Sequence, residues 1–146
     1  MEAVIYTLDN LADLSQNATP QDNSKSCYAE KLAKSEALID WAGAAHQIDR
    51  QVRAGIGRSP AFTLLNGQRL RIFNTVVLEH STAVAPGTIT SVEKDSFTVA
   101  CLDSTIRVDR VQIPGKKPMS VAEVLNSRPA MFRAGLQFTA IDLQQE

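Results

Sequence analysis

The side chains in this chain that could do chemistry are mostly cationic. Lys31 and Lys34 precede Ile39-Asp40-Trp41, Arg50 and Arg53 follow on one amphipathic stretch, and Lys116-Lys117 stand between Pro114-Gly115 and Pro118. This pattern suits an anionic partner better than bond breaking, because ammonium and guanidinium groups position phosphates without moving a proton. A turn held by two prolines and a glycine has little conformational freedom left to lose when its lysines are engaged.

Catalytic patterns do not accompany these cations. Gly55-Ile56-Gly57 lacks the third glycine and the preceding strand of a dinucleotide fingerprint and reads as a helix stop. His46 and His80 have no serine or cysteine nucleophile pattern around them. The carboxylate pairs Asp40 with Asp49 and Asp103 with Asp109 read as turn, cap or surface groups. Cys27 and Cys101 lie far apart with no thiol or histidine at metal-ligand spacing, so two reduced structural thiols and no metal site are expected.

A chain of 146 residues, 44% hydrophobic and 21% charged, can bury one sizeable core. It has no apolar run of the roughly 18 residues needed to span a bilayer, and the N-terminus lacks the basic and apolar regions of a signal peptide. A cytoplasmic, monomeric protein that does not enter a membrane is expected. All 15 lysines and arginines lie at or after Lys25, so residues 1–24 carry −4 and the remainder, with 12 acidic residues, carries +3. That balance is too small for a dedicated nucleic-acid domain but leaves room for a localised basic face.

The elements that must position these groups follow from periodicity. Val4, Leu8, Leu11 and Ala12 recur at helical spacing and predict a short helix over residues 3–14 with an acidic outer face. Ser15 to Ser26 is polar and reads as an exposed linker. Residues 28–34 fit either an extended segment or a helical turn. Ala45, Gln47, Ile48 and Val52 mark the stripe of a helix over 43–54, with Asp49, Arg50 and Arg53 off it.

From Ala61 the period becomes two. Phe62–Leu65 and Arg69–Leu78 flank Asn66-Gly67, a strong hairpin signal. Leu70, Ile72, Val76 and Leu78 are expected on one face, with Arg69 and Arg71 facing the other way. Strands follow to Val92, over Phe97–Leu102 and over Ile106–Ile113. About five short antiparallel strands with turns every 8 to 12 residues predict a mainly β chain forming a small barrel with peripheral helices. Ser120 and Glu123 form a capping box, with Met119 and Val124 as its hydrophobic staple, that starts a last short helix.

Taken together, Tyr28-Ala29-Glu30-Lys31-Leu32, Lys34-Ser35-Glu36-Ala37, Ile39-Asp40-Trp41, Arg53-Ala54, Pro86-Gly87-Thr88-Ile89, Gln112 to Met119, Leu125-Asn126-Ser127-Arg128, Phe132 and Gly135 resemble the C-terminal domain of methionyl-tRNA formyltransferase. They run in family order from Pro20 to Phe138. The resemblance implies an OB-like (oligonucleotide-binding-type) antiparallel β-barrel over residues 25–146. Residues 1–24 would then be a remnant of the last helix of a catalytic domain plus the interdomain linker. It further implies an initiator methionyl-tRNA partner, an N-terminal formyltransferase domain in cis, and 10-formyltetrahydrofolate as the cofactor of that domain. This chain carries none of that domain's catalytic asparagine, histidine and aspartate set and is expected to be inactive alone. Under this reading Lys25, Lys31, Lys34, Arg50, Arg53, Lys116 and Lys117 contact tRNA phosphates and sugars. Arg53 is equally suited to a structural ion pair with a nearby aspartate, and Trp41 reads as a core anchor. Where the family often shows Pro-x-Pro, this chain has Gly57-Arg58-Ser59-Pro60. A packing domain for a formyltransferase acting on another acceptor, such as an amino sugar, is the alternative.

Overall fold

The computed structural model of the chain describes residues 2–28 and 33–139 and divides into two compact units, Met1–Lys31 and Leu32–Glu146. In the first, the expected single helix is two, α1 (Glu2–Asp9) and α2 (Leu11–Gln16). Asn10 interrupts them at φ −115, ψ 21, and its side-chain amide donates to the Tyr6 carbonyl. Asparagine competes for backbone partners in this way, which disfavours it inside helices. Asn23–Lys25 adds one 3-10 turn to the linker.

The second unit is built on an antiparallel sheet in the order β1 (Phe62–Leu65), β2 (Gln68–Leu78), β5 (Thr105–Gln112), β4 (Phe97–Ala100), β3 (Ile89–Val92), with β6 (Met119–Ser120) paired to the far end of β5. The β1–β2 hairpin turns at Asn66 (φ 51) and Gly67 (φ 75), a conformation these two residues tolerate better than most. Edges β1 and β3 are joined by the segment 135–139. The Thr139 N–H donates to Leu64 at 3.2 Å and the Phe138 N–H to Gly87 at 2.9 Å, while Ile89 exchanges bonds with Leu136 and Gly135 at 2.8 Å. The sheet thereby closes into a small OB-like barrel whose core includes Leu70, Ile72, Phe97, Val99, Ile106, Val108 and Val111.

One expectation about β2 is corrected. Thr75 is buried and Val77 packs against the core, so Val76, which is exposed, and Leu78 fall on the other face from Leu70 and Ile72. Pairing runs Ile72↔Val111, Asn74↔Arg110, Thr75↔Val108, so Phe73 is an extra residue on β2 and Asp109 an extra residue on β5. Two opposed bulges invert the facing of both strands at one point, and the amide of Asn74 spans that point to both oxygens of Asp109. A simple period of two cannot anticipate such a pair.

Helices α3 (Ala45–Gly55) and α4 (Val121–Ser127) pack on the barrel through Ala45, Ile48 and Val52, and through Val121 and Val124. Asp103 reaches across 58 residues to accept the Ala45 N–H at 2.9 Å, and this bond chiefly holds its carboxyl below the usual range. Glu123 accepts the Ser120 N–H at 2.8 Å and its hydroxyl at 2.9 Å, completing the expected capping box, and is lowered in turn. Carboxylates with depressed folded values stabilise the fold above their unfolded pKa and lose that contribution as pH falls through the folded value. The urea midpoint should therefore be level near neutrality and decline below about pH 4. Asp103→Asn should make the decline shallower, as followed by circular dichroism.

Gly87 combines a left-handed backbone with a close neighbour. Its φ is +83, and a Cβ there would stand 3.4 Å from the Trp41 side chain. Gly87→Ala should cost about 1–2 kcal/mol from the left-handed backbone alone. An unchanged urea midpoint would contradict this.

Candidate nucleic-acid interface

The cations named from sequence fall into different environments. Lys25 pairs with Asp22 at 3.3 Å in the N-terminal unit. Lys31 lies outside the described residues, and Lys34 opens the 3-10 turn Lys34–Ala37. That turn is tied to α3 because the Gln51 amide donates to the Glu36 carbonyl at 2.7 Å and the Leu38 carbonyl at 3.0 Å. Arg50 projects from α3 exposed. Arg53 is committed elsewhere: its Nε donates to Asp49 at 2.9 Å, and Asp49 also accepts the Thr75 hydroxyl at 2.8 Å. An arginine held by a largely buried, doubly bonded carboxylate has part of its charge neutralised in place.

Lys116 and Lys117 are exposed on a turn that the fold holds firmly. Gly115 adopts φ +74, the Lys116 N–H donates to Ile113 at 3.1 Å, and the Gln112 amide donates to the Lys116 carbonyl at 2.6 Å. Gln112 is itself fixed, accepting from Arg71 Nη1 at 3.1 Å. A chain of side-chain bonds thus runs from β2 through β5 to the basic turn.

Arg71 lies on the outer face, as the alternation of β2 predicts, whereas its bond to Gln112, which anchors the turn, has no local sequence signature. A charge signal was present: from Arg50 to Leu78 there are five arginines and no acidic residue, and from Arg110 to Ala122 three cations and no acid. Among the described residues, salt bridges involve only Lys25 and Arg53. No group of three or more metal-ligating side chains converges among the described residues.

Trp41 is structural. Its indole N–H donates to the Thr63 hydroxyl at 3.0 Å, and its ring stacks on Phe138 with centroids 5.4 Å apart. Cys101 is buried, its thiol pushed up to about 12 chiefly by desolvation, whereas Cys27 is exposed.

Among solved structures, HypX from Aquifex aeolicus in complex with tetrahydrofolic acid is similar in fold, with TM-score 0.60 and 18% identity over 86% of this chain. A variant of the same protein gives TM-score 0.61 and 18% identity, again over 86% of this chain. This chain spans 22% of the length of each. The family model described as formyl transferase, C-terminal domain, matches residues 31–129, more than half of the chain. With the OB-like barrel and the Gln112 to Met119 turn inside that match, the chain belongs to the formyl transferase C-terminal domain family.

Proposed function

We propose that this chain is the tRNA-binding C-terminal domain of a methionyl-tRNA formyltransferase, acting in the cytoplasm to help position initiator methionyl-tRNA for N-formylation. The observation that carries this reading is the Lys116-Lys117 turn, anchored by Gln112 and bordered by sequence without acidic residues. Rigidly presented lysines suit phosphate contacts, and no aromatic platform for stacked bases accompanies them among the described residues. The formyl donor would be 10-formyltetrahydrofolate, held by an N-terminal formyltransferase domain in cis. The tetrahydrofolic acid bound to HypX supports one-carbon chemistry in such proteins. No transfer step is assigned to this chain.

The test is binding of initiator methionyl-tRNA by the isolated chain at 50 and 200 mM KCl. Affinity should fall steeply with salt, because phosphate contacts release counterions. Equal affinity at both concentrations would sink the reading.

A packing role is favoured by a different observation. Val4, Ile5, Tyr6, Leu8 and Leu11 are all exposed by 54% or more on α1 and α2, an apolar set suited to a protein surface. Cross-links to a separately supplied formyltransferase domain, with none to tRNA, would support that role alone.

A further inference from the structure

The register of β1, β2 and β5 sets a second group of cations beside the basic turn. Phe62 pairs with Arg71, Leu64 with Arg69, and Arg71 with Gln112, so these five side chains share the outer face of the sheet. Arg69 is exposed, and its guanidinium lies 4.0 Å from the centre of the Phe62 ring, which restricts its rotamers before any ligand arrives. Arg71 is half-buried and spends one N–H on Gln112. A guanidinium carries five donors in a fixed fork, so further donors remain for an oxygen ligand.

Alternation on a strand sets Arg69 and Arg71 about 7 Å apart along β2. This is comparable with the step between neighbouring phosphates on one nucleic-acid strand. No acidic residue occurs in β1, in β2 or between Arg110 and Ala122, and the one acid of β5, Asp109, lies at the bulge, where it accepts both its bonds from the Asn74 amide. Neither arginine makes a salt bridge among the described residues.

We infer that the outer face of β1–β2–β5 is a phosphate-contacting surface in which Arg69 and Arg71 take successive phosphates of an RNA strand that continues onto Lys116 and Lys117. Gln112 is the positioning residue that joins the two pairs: it accepts from Arg71 and donates to the Lys116 carbonyl, so strand and turn are fixed to each other before binding. This surface deepens the tRNA reading and rests on it. Its ligand is the sugar-phosphate backbone, recognised by charge and spacing rather than by base edges.

The experiment uses the whole chain and unmodified bulk tRNA as probe, with anisotropy titrations from 50 to 200 mM KCl. Arg69→Gln with Arg71→Gln should lower the slope of log K against log salt by about 1.4 to 1.8, at 0.7 to 0.9 per phosphate contact given up. At 0.1 M salt that corresponds to roughly 30-fold weaker binding. Arg69→Lys with Arg71→Lys retains both charges and should keep the wild-type slope. Gln112→Leu retains every charge and should weaken binding severalfold at unchanged slope, with the urea midpoint showing that the fold persists. The inference is overturned if the glutamine pair binds like the wild type while Lys116→Ala with Lys117→Ala does not. It is overturned equally if the lysine pair loses as much slope as the glutamine pair, since loss of fold and not of charge would then be responsible. Salt-independent binding by the wild-type chain removes the tRNA reading itself, and this surface with it.

Discussion

Trp41→Ala should destabilise the barrel by about 3–5 kcal/mol, the range for removing a large buried aromatic. Three losses coincide at this position. The side chain is 6% exposed within the main core cluster, so truncation leaves a cavity between the segment that leads into α3 and the closing segment. Phe138 loses its stacked partner, weakening the segment 135–139 that joins edges β1 and β3. The Thr63 hydroxyl, in a residue 1% exposed, loses the indole donor. Domains of this size have total stabilities of about 5–15 kcal/mol, so the variant sits near the threshold of folding. Urea denaturation followed by far-ultraviolet circular dichroism reads the effect without relying on the tryptophan itself. Trp41→Phe keeps most of the ring and should cost about 1–3 kcal/mol, most of it from the unpaired hydroxyl. A loss below about 1 kcal/mol for the alanine variant would show that Trp41 is not an anchor.

The contrast between Trp41 and the basic residues shows what was legible in the sequence. Local rules served well where one element decides the outcome: the Asn66-Gly67 turn, the Ala45-Ile48-Val52 stripe and the Ser120-Glu123 box all form as their residue types require. The departures arise where partners are distant. The opposed bulges at Phe73 and Asp109 depend on the registration of two strands some 35 residues apart, so Val76 turned outward against its period. The closing segment, Gly-Leu-Gln-Phe-Thr over residues 135–139, is too short to show a period of its own. It joins the sheet because the edges of β1 and β3 present unpaired backbone groups there.

The same distinction runs through the candidate interface. The sequence leaves Arg53 divided between a phosphate contact and an ion pair with a nearby aspartate; the structure pairs it with Asp49, which Thr75 of β2 also engages. The role of Arg71 is not local: it lies in the bond to Gln112, 41 residues away. Charge density along the chain was readable, whereas which charges are already spent is a tertiary fact.

Lys116→Ala with Lys117→Ala should therefore change tRNA binding far more than Arg53→Ala. Each phosphate contact given up lowers the salt slope by about 0.7 to 0.9, so the lysine pair should lose about 1.4 to 1.8 in slope and roughly 30-fold in affinity at 0.1 M salt. Both lysines are exposed and their turn is held by Gly115, Gln112 and two prolines, so the fold should survive the change. Arg53→Ala removes a charge already compensated by Asp49 and leaves that carboxylate with only the Thr75 hydroxyl. Its slope should stay close to the wild type, while its urea midpoint moves down modestly, as expected for a partly exposed ion pair. Measuring slope and midpoint on both variants separates contact from support. A slope unchanged in the lysine pair would take the turn out of the interface, and a larger slope change in Arg53→Ala would place contacts on α3.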